Sequence, residues 1–269
     1  MISEKIKLLG ANYYKNIPGE LTLKAMPTIS ELDMVGAEDF TEVMLDKILP
    51  ESIEEKINCR EFLEIDYDWV CRALRMLNYG PYHTTNVIFC NKCDTTSRGE
   101  YIVDLITVPC KMLPPDFDGK LRISRSEFID YNGDVVLKLP TIQDIINARK
   151  DKLFDVNGRT NMELARICYM TTNISGRGNL TPVEVRNEIE SKMSPADYII
   201  LKSRVNELAD YGIRAGGSCQ CPKCHKEATF LVFTDDRFFR PTLGDLRRWA
   251  DDKRKRANED VSRDTPKNV

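Results

Sequence analysis

Four cysteines in two Cys-x-x-Cys pairs, Cys90 with Cys93 and Cys221 with Cys224, are the residues of this sequence best suited to chemistry. A Cys-x-x-Cys turn sets two sulfurs on one side of a tight loop, and two such turns supply the four thiolates of a closed tetrahedral zinc site. The surroundings of the pairs agree. Phe89-Cys90-Asn91-Lys92-Cys93 and Gln220-Cys221-Pro222-Lys223-Cys224 both carry lysine at the third position of the Cys-x-x-Cys motif, where its charge offsets that of a four-thiolate centre. Well over a hundred residues separate the pairs, but closure entropy grows only logarithmically with loop length and the intervening chain is itself folded. A structural zinc contributes on the order of 10 kcal/mol to folding in small zinc domains. Cys219 and His225 adjoin the second pair and are alternative ligands to Cys221, which ranks first because its CPKC turn mirrors CNKC. The competing reading is a redox pair or two partly buried thiols. A redox pair belongs at a helix N-terminus, and neither pair reads as standing at one.

The rest of the sequence offers little to a catalyst. His83 and His225 are the two histidines, and neither has a Ser, Cys or acid partner at catalytic spacing. Four cysteines leave no open position on zinc for water. The stretch GRGNLT from Gly176 lacks the strand and lysine of a phosphate-binding loop. These features argue against an enzyme and against a small-molecule substrate. Cys59, Cys71, Cys110 and Cys168 read as small core hydrophobes. The chain has 269 residues, 42% hydrophobic and 30% charged, with a formal net charge of -3. That is a globular composition without the bulk charge of a polyanion binder. Nine cysteines, an odd number in a long chain, fit metal binding better than a disulfide framework. No stretch approaches the roughly 20 apolar residues of a membrane span, and the N-terminus lacks a secretory core.

The elements that must hold the cysteines read as α+β: mainly helical, with a small antiparallel zinc-ribbon-like sheet formed by the two distant Cys-x-x-Cys hairpins. Residues 1–86 form an N-terminal segment and helices. There Leu21, Leu23 and Met26 alternate as an edge strand, Asp39–Ile57 is helical despite Pro50, and a central helix runs from Asp66 as N-cap to Gly80. Residues 87–140 hold the first knuckle, with strands on either side of it and at 121–123 and 135–139. Residues 141–212 are a helical insert, punctuated by capping-box spacings at Thr141/Asp144, Thr160/Glu163, Thr181/Glu184 and Ser194/Asp197, with Pro182 and Pro195 at first helical positions. Residues 213–240 carry the second knuckle, part of the same ribbon. Residues 241–269 are a basic helix starting near Thr242 and a disordered tail from about Asn258, with Arg240, Arg247, Arg248, Lys253, Arg254, Lys255 and Arg256 beside Phe238, Phe239 and Trp249.

Several segments in order carry a resemblance: IPGELTLKAMP, then DYDWVCRALRMLNYGPYH leading into a Cys-x-x-Cys, LTPVEV and SPADYIIL in the helical middle, and CPKC followed by FFRPTLGDLRRW. From about residue 17 to residue 250 the chain resembles the baseplate hub and tail-assembly proteins of contractile-tailed, T-even-like bacteriophages. The resemblance implies a non-enzymatic role in building the baseplate hub or initiating the tail tube. It implies as partners other hub proteins and the tape-measure protein, and as location the host cytoplasm during assembly and the virion tail baseplate. The alternative is a zinc-ribbon accessory factor that binds nucleic acid. It requires a basic face around the knuckles, where Lys92, Arg98, Lys223 and Lys226 are interspersed with acids.

Overall fold

The structure is a computed structural model that describes residues 3–34, 37–90, 97–156, 158–209, 211–213 and 216–263. The chain opens with an antiparallel hairpin, β1 (Ser3–Lys7) and β2 (Glu20–Lys24), in which Ile6 lies opposite Leu21. Of the alternation read from the sequence, Leu21 and Leu23 turn fully inward, while Met26 lies beyond the strand. After α1 (Thr28–Met34), α2 (Phe40–Val43) continues through a π-helical turn, Met44–Ile48, into α3 (Leu49–Ser52). Pro50 accounts for that turn. Its ring would meet the carbonyl four residues back, and the wider turn, in which Leu49 N–H reaches the carbonyl of Met44, makes room. The helix ends at Ser52 rather than Ile57.

The central helix α4 (Glu64–Tyr79) is present, but Asp66 is not its N-cap. Asp66 is buried and accepts from Leu9 N at 2.6 Å, from Gly10 N, and from the Tyr14 hydroxyl at 2.7 Å. Three donors on one carboxylate moor the N-terminal segment to α4. Gly80 stops the helix in the left-handed φ region, at +79°.

Next come the hairpin β3 (Tyr82–Cys90) and β4 (Ser97–Asp104), the short β5 (Cys110–Lys111), then β6 (Lys120–Ile123) and β7 (Val135–Lys138). The segment expected to be a helical insert is mixed. It holds α5 (Ile142–Lys150), a small hairpin of β8 (Asp155–Val156) and β9 (Arg159–Thr160), α6 (Met162–Met170), β10 (Thr171–Ile174), β11 (Arg177–Gly178), α7 (Pro182–Lys192) and α8 (Pro195–Ala209). β11, β10, β7 and β6 form one antiparallel sheet in that order. The expected caps are in place at Thr141, Thr181 and Ser194. Asn161, not Thr160, caps α6. The chain closes with β12 (Gly212–Ile213), the hairpin β13 (Gly216–Gln220) and β14 (Glu227–Leu231), and α9 (Leu243–Arg263). The helix α9 runs on through residues read from composition as a disordered tail; residues 264–269 lie outside the described ones.

The expected fold class is therefore corrected. The protein is mixed, 43% helical and 24% strand, with several small antiparallel sheets rather than one ribbon on a helical body. Two physical causes stand out. Short β-branched runs such as Thr171-Thr172-Asn173-Ile174 prefer strand to helix, and they interrupt the helices that the capping boxes announce. The two cysteine hairpins also remain separate two-stranded sheets: β14 lies alongside β3 but does not share a hydrogen-bonded ladder with it.

The described residues form two apolar cores. One gathers β1, β2, the helix through Ile48, most of α4, and the cysteine hairpins through Val87, Val103, Ala228 and Phe230. The other lies between the four-stranded sheet and α6, α7 and α8. Helix α4 lies along the seam, with Leu63 just before it in the second core and Val70, Leu74 and their neighbours in the first.

Candidate metal centre at the hairpin tips

Both cysteine pairs fall where a strand hairpin turns. Cys90 ends β3 opposite Ser97, and a β-bulge between Ile88 and Cys90 bends the strand just before it. Cys93 lies outside the described residues, as does everything from residue 91 to residue 96, and the side chain of Cys90 is not described. The second pair follows the last ladder position, Gln220 opposite Glu227. Cys221 N–H donates to Lys226 O at 2.8 Å and His225 N–H donates to Cys221 O at 2.9 Å, which closes a tight turn around Pro222, Lys223 and Cys224. His225 sits at φ +57°, left-handed backbone that a non-glycine residue seldom adopts. Cys221 is fully buried and Cys224 is partly exposed.

The alternatives to Cys221 are placed differently. Cys219 lies on β13 opposite Ala228 and belongs to the first apolar core. His225 has an exposed side chain and serves the turn through its backbone. Among the described residues no three His, Cys, Asp or Glu side chains converge on a metal position, and of the four proposed ligands only Cys221 and Cys224 have described side chains. Cys59, Cys71 and Cys168 are buried as expected, whereas Cys110 on β5 is exposed. Burial pushes the Cys59 thiol up to about 11 and the Cys168 thiol up to about 12, so both stay protonated and inert.

Among the described residues the two hairpins meet at their feet. Thr85 Oγ1 on β3 donates to Leu231 O at the end of β14 (3.3 Å), and the Tyr101 and Phe230 rings meet at 5.1 Å between centroids. The chain leaving β14 then reaches the start of β3. Val232 lines one small cavity with Leu105, just past β4, and Phe238 packs edge-on against His83 at 5.2 Å. So β3 climbs from the foot while β14 descends to it. From that foot Cys90 is five residues up and Glu227 four, roughly 17 and 13 Å at the strand rise of about 3.3 Å per residue.

Arg75 secures the foot. This fully buried side chain of α4 donates to three backbone carbonyls, Phe238 O through Nε at 3.1 Å, Gly80 O and Tyr82 O. It thereby ties the helix end, the start of β3 and the segment after β14 together. Burial pulls its guanidinium down to about 10, still cationic at neutral pH. Helix α9 packs on the same foot: its N-terminal Asp245 accepts from Thr84 Oγ1 at 2.6 Å, and Trp249 covers Gly80. Nothing local marks Arg75 for this role, because an arginine on a central helix reads as solvated unless its three carbonyl partners are known.

No protein family, curated protein or solved structure matches the chain. No helix among the described residues is long and apolar enough to cross a membrane.

Proposed function

We propose that this protein is a non-enzymatic structural or assembly component of a phage tail baseplate hub. In this reading it docks to other hub proteins or the tape-measure protein, and a single zinc held by Cys90, Cys93, Cys221 and Cys224 fixes the two hairpins. The observation that carries the docking part is the exposure of large apolar side chains on the cysteine hairpins and just beyond them. Ile88 on β3 is 56% exposed, Leu231 on β14 55%, and Phe233 just beyond it 61%. Large apolar side chains left in water on adjoining segments mark contact surfaces. The order of segments resembling the T-even-like tail proteins supports the choice of partner. The zinc rests on the donor set: soft thiolates at two hairpin tips that share one foot, with Cys221 buried inside a turn closed by its own backbone. The metal supplies a cross-link and no chemistry, since four thiolates leave no position for substrate.

The work belongs in the host cytoplasm during assembly, and in the tail baseplate if the protein stays with the virion. Affinity capture from infected cells followed by mass spectrometry tests it. Recovery of tail-hub or tape-measure proteins is the expected result. Tight filter binding of DNA at physiological salt, without those proteins, would instead favour a nucleic-acid accessory factor working through the basic residues of α9.

A further inference from the structure

Three residues of α4 that share one face, Glu64, Tyr67 and Asp68, form the floor of a cleft of about 540 Å³. Its walls come from the start of α2, from α5 and from the segment after β14, and Phe233, 61% exposed, stands among the lining residues. Two observations set this cleft apart from an ordinary acidic surface. Tyr67 is only 3% exposed, yet its hydroxyl, with Thr41 and Cys71 as its polar neighbours, makes no well-formed hydrogen bond among the described residues. A buried hydroxyl normally finds a partner. Beside it, Asp68 is half-buried and faces Glu64, whose own charge is taken by Arg166 across the seam. Burial first, and then the neighbouring Glu64 charge, push the Asp68 carboxyl up to about 7.

The class of ligand follows from what the floor can accept. The mouth adds Glu38, Asp39 and Asp235; Arg149 is the cation among the lining residues, and Lys150 stands 4.0 Å from Asp39. Among the described residues no three acids converge as a metal cage, so a divalent ion is not the match. The acceptors are spread along one helix turn and flanked by the aromatic side chains of Phe40 and Phe233. A planar guanidinium has several N–H donors in a fixed fork and stacks on aromatic rings, whereas an ammonium is a compact point charge.

We propose that the cleft over Tyr67 and Asp68 is a receptor for an arginine side chain presented by the protein's docking partner. The partner in this statement rests on the assembly reading above; the arginine site rests on the cleft alone.

The test titrates arginine amide into the full chain and follows backbone amide shifts by NMR, with citrulline amide as the neutral isostere. Saturable shifts at residues 64–68 and 232–235 with arginine amide are expected, with citrulline amide at least tenfold weaker. Asp68→Asn should weaken arginine amide at least tenfold. Asp235→Asn keeps the oxygen that caps the turn at Arg237 and Phe238, so it guards against misfolding and should weaken binding severalfold. Equal response to the two amides, or binding unchanged in both variants, would overturn the site. If the wild-type chain binds arginine amide but captures no tail protein, the assembly reading falls and the cleft stands. If both variants still capture an identified tail partner as the wild type does, the cleft is not where that partner docks.

Discussion

Replacing Arg75 by methionine removes the clamp at the hairpin foot while keeping much of the side-chain volume. Arg75 donates to three carbonyls, those of Gly80 and Phe238 buried and that of Tyr82 partly buried. A buried acceptor left without its donor costs about 1–3 kcal/mol, so three give a gross loss of roughly 3–9 kcal/mol. Against this, methionine carries no charge to desolvate, and an unpaired buried cation costs several kcal/mol. The net expectation is about 3 kcal/mol of lost stability, or a fall of roughly 6–12 °C in melting temperature for a chain of this size. Arg75→Lys should fall between, because an ammonium on a shorter reach cannot serve three carbonyls at once. Guanidinium chloride unfolding, read by circular dichroism at unchanged slope, measures both. A methionine variant within about 1 kcal/mol of wild type would refute the clamp, because the expected net loss is about 3 kcal/mol.

Three further outcomes follow from neighbouring features. His83 is buried against Phe238, and burial followed by the Arg75 charge holds its imidazole down at about 4. An unfolded histidine titrates near 6.5, so the unfolded chain takes the proton first. The contribution of His83 is complete above pH 6.5 and is lost as pH falls towards 4, amounting to about 3 kcal/mol in all. NMR titration of His83 with a midpoint at or above 6 would remove that contribution. Gly80→Ala must press its Cβ into the Trp249 indole and hold φ at +79°. It should cost about 1–3 kcal/mol in backbone strain alone and shift Trp249 fluorescence, measured in a Trp69→Phe background, to the red; unchanged emission and stability would show that α9 does not rest on Gly80. Cys221→Ser should abolish zinc binding while Cys219→Ser retains it, because Cys219 faces the apolar core; equilibrium dialysis against zinc with the reverse ranking would exchange their roles.

The sequence was most legible where chemistry is local. Thr141, Thr181 and Ser194 announced their helices through side-chain caps that need only three residues to recognise. The alternation of Leu21 and Leu23 likewise announced a strand. What could not be read depends on contacts between distant segments. Asp66 has the residue type of a cap, yet its partners Leu9, Gly10 and Tyr14 come from more than fifty positions away. The balance of helix and strand was misread for a related reason: short runs such as Thr171–Ile174 become strands because β7 is there to pair with them. The hairpin turns at the two cysteine pairs were visible from spacing alone. That their hairpins would stand foot to foot on Arg75 was not, because the three carbonyls it joins carry no side-chain signature.

The most direct test of the clasp that joins the two hairpins is the zinc content of the purified, reduced chain by native mass spectrometry, beside a Cys93→Ser, Cys224→Ser variant. One zinc per wild-type chain is the result the four-cysteine site requires, because four thiolates complete a single tetrahedral shell; the variant should hold none. A wild-type chain without zinc, or a variant that keeps its full complement, would contradict it.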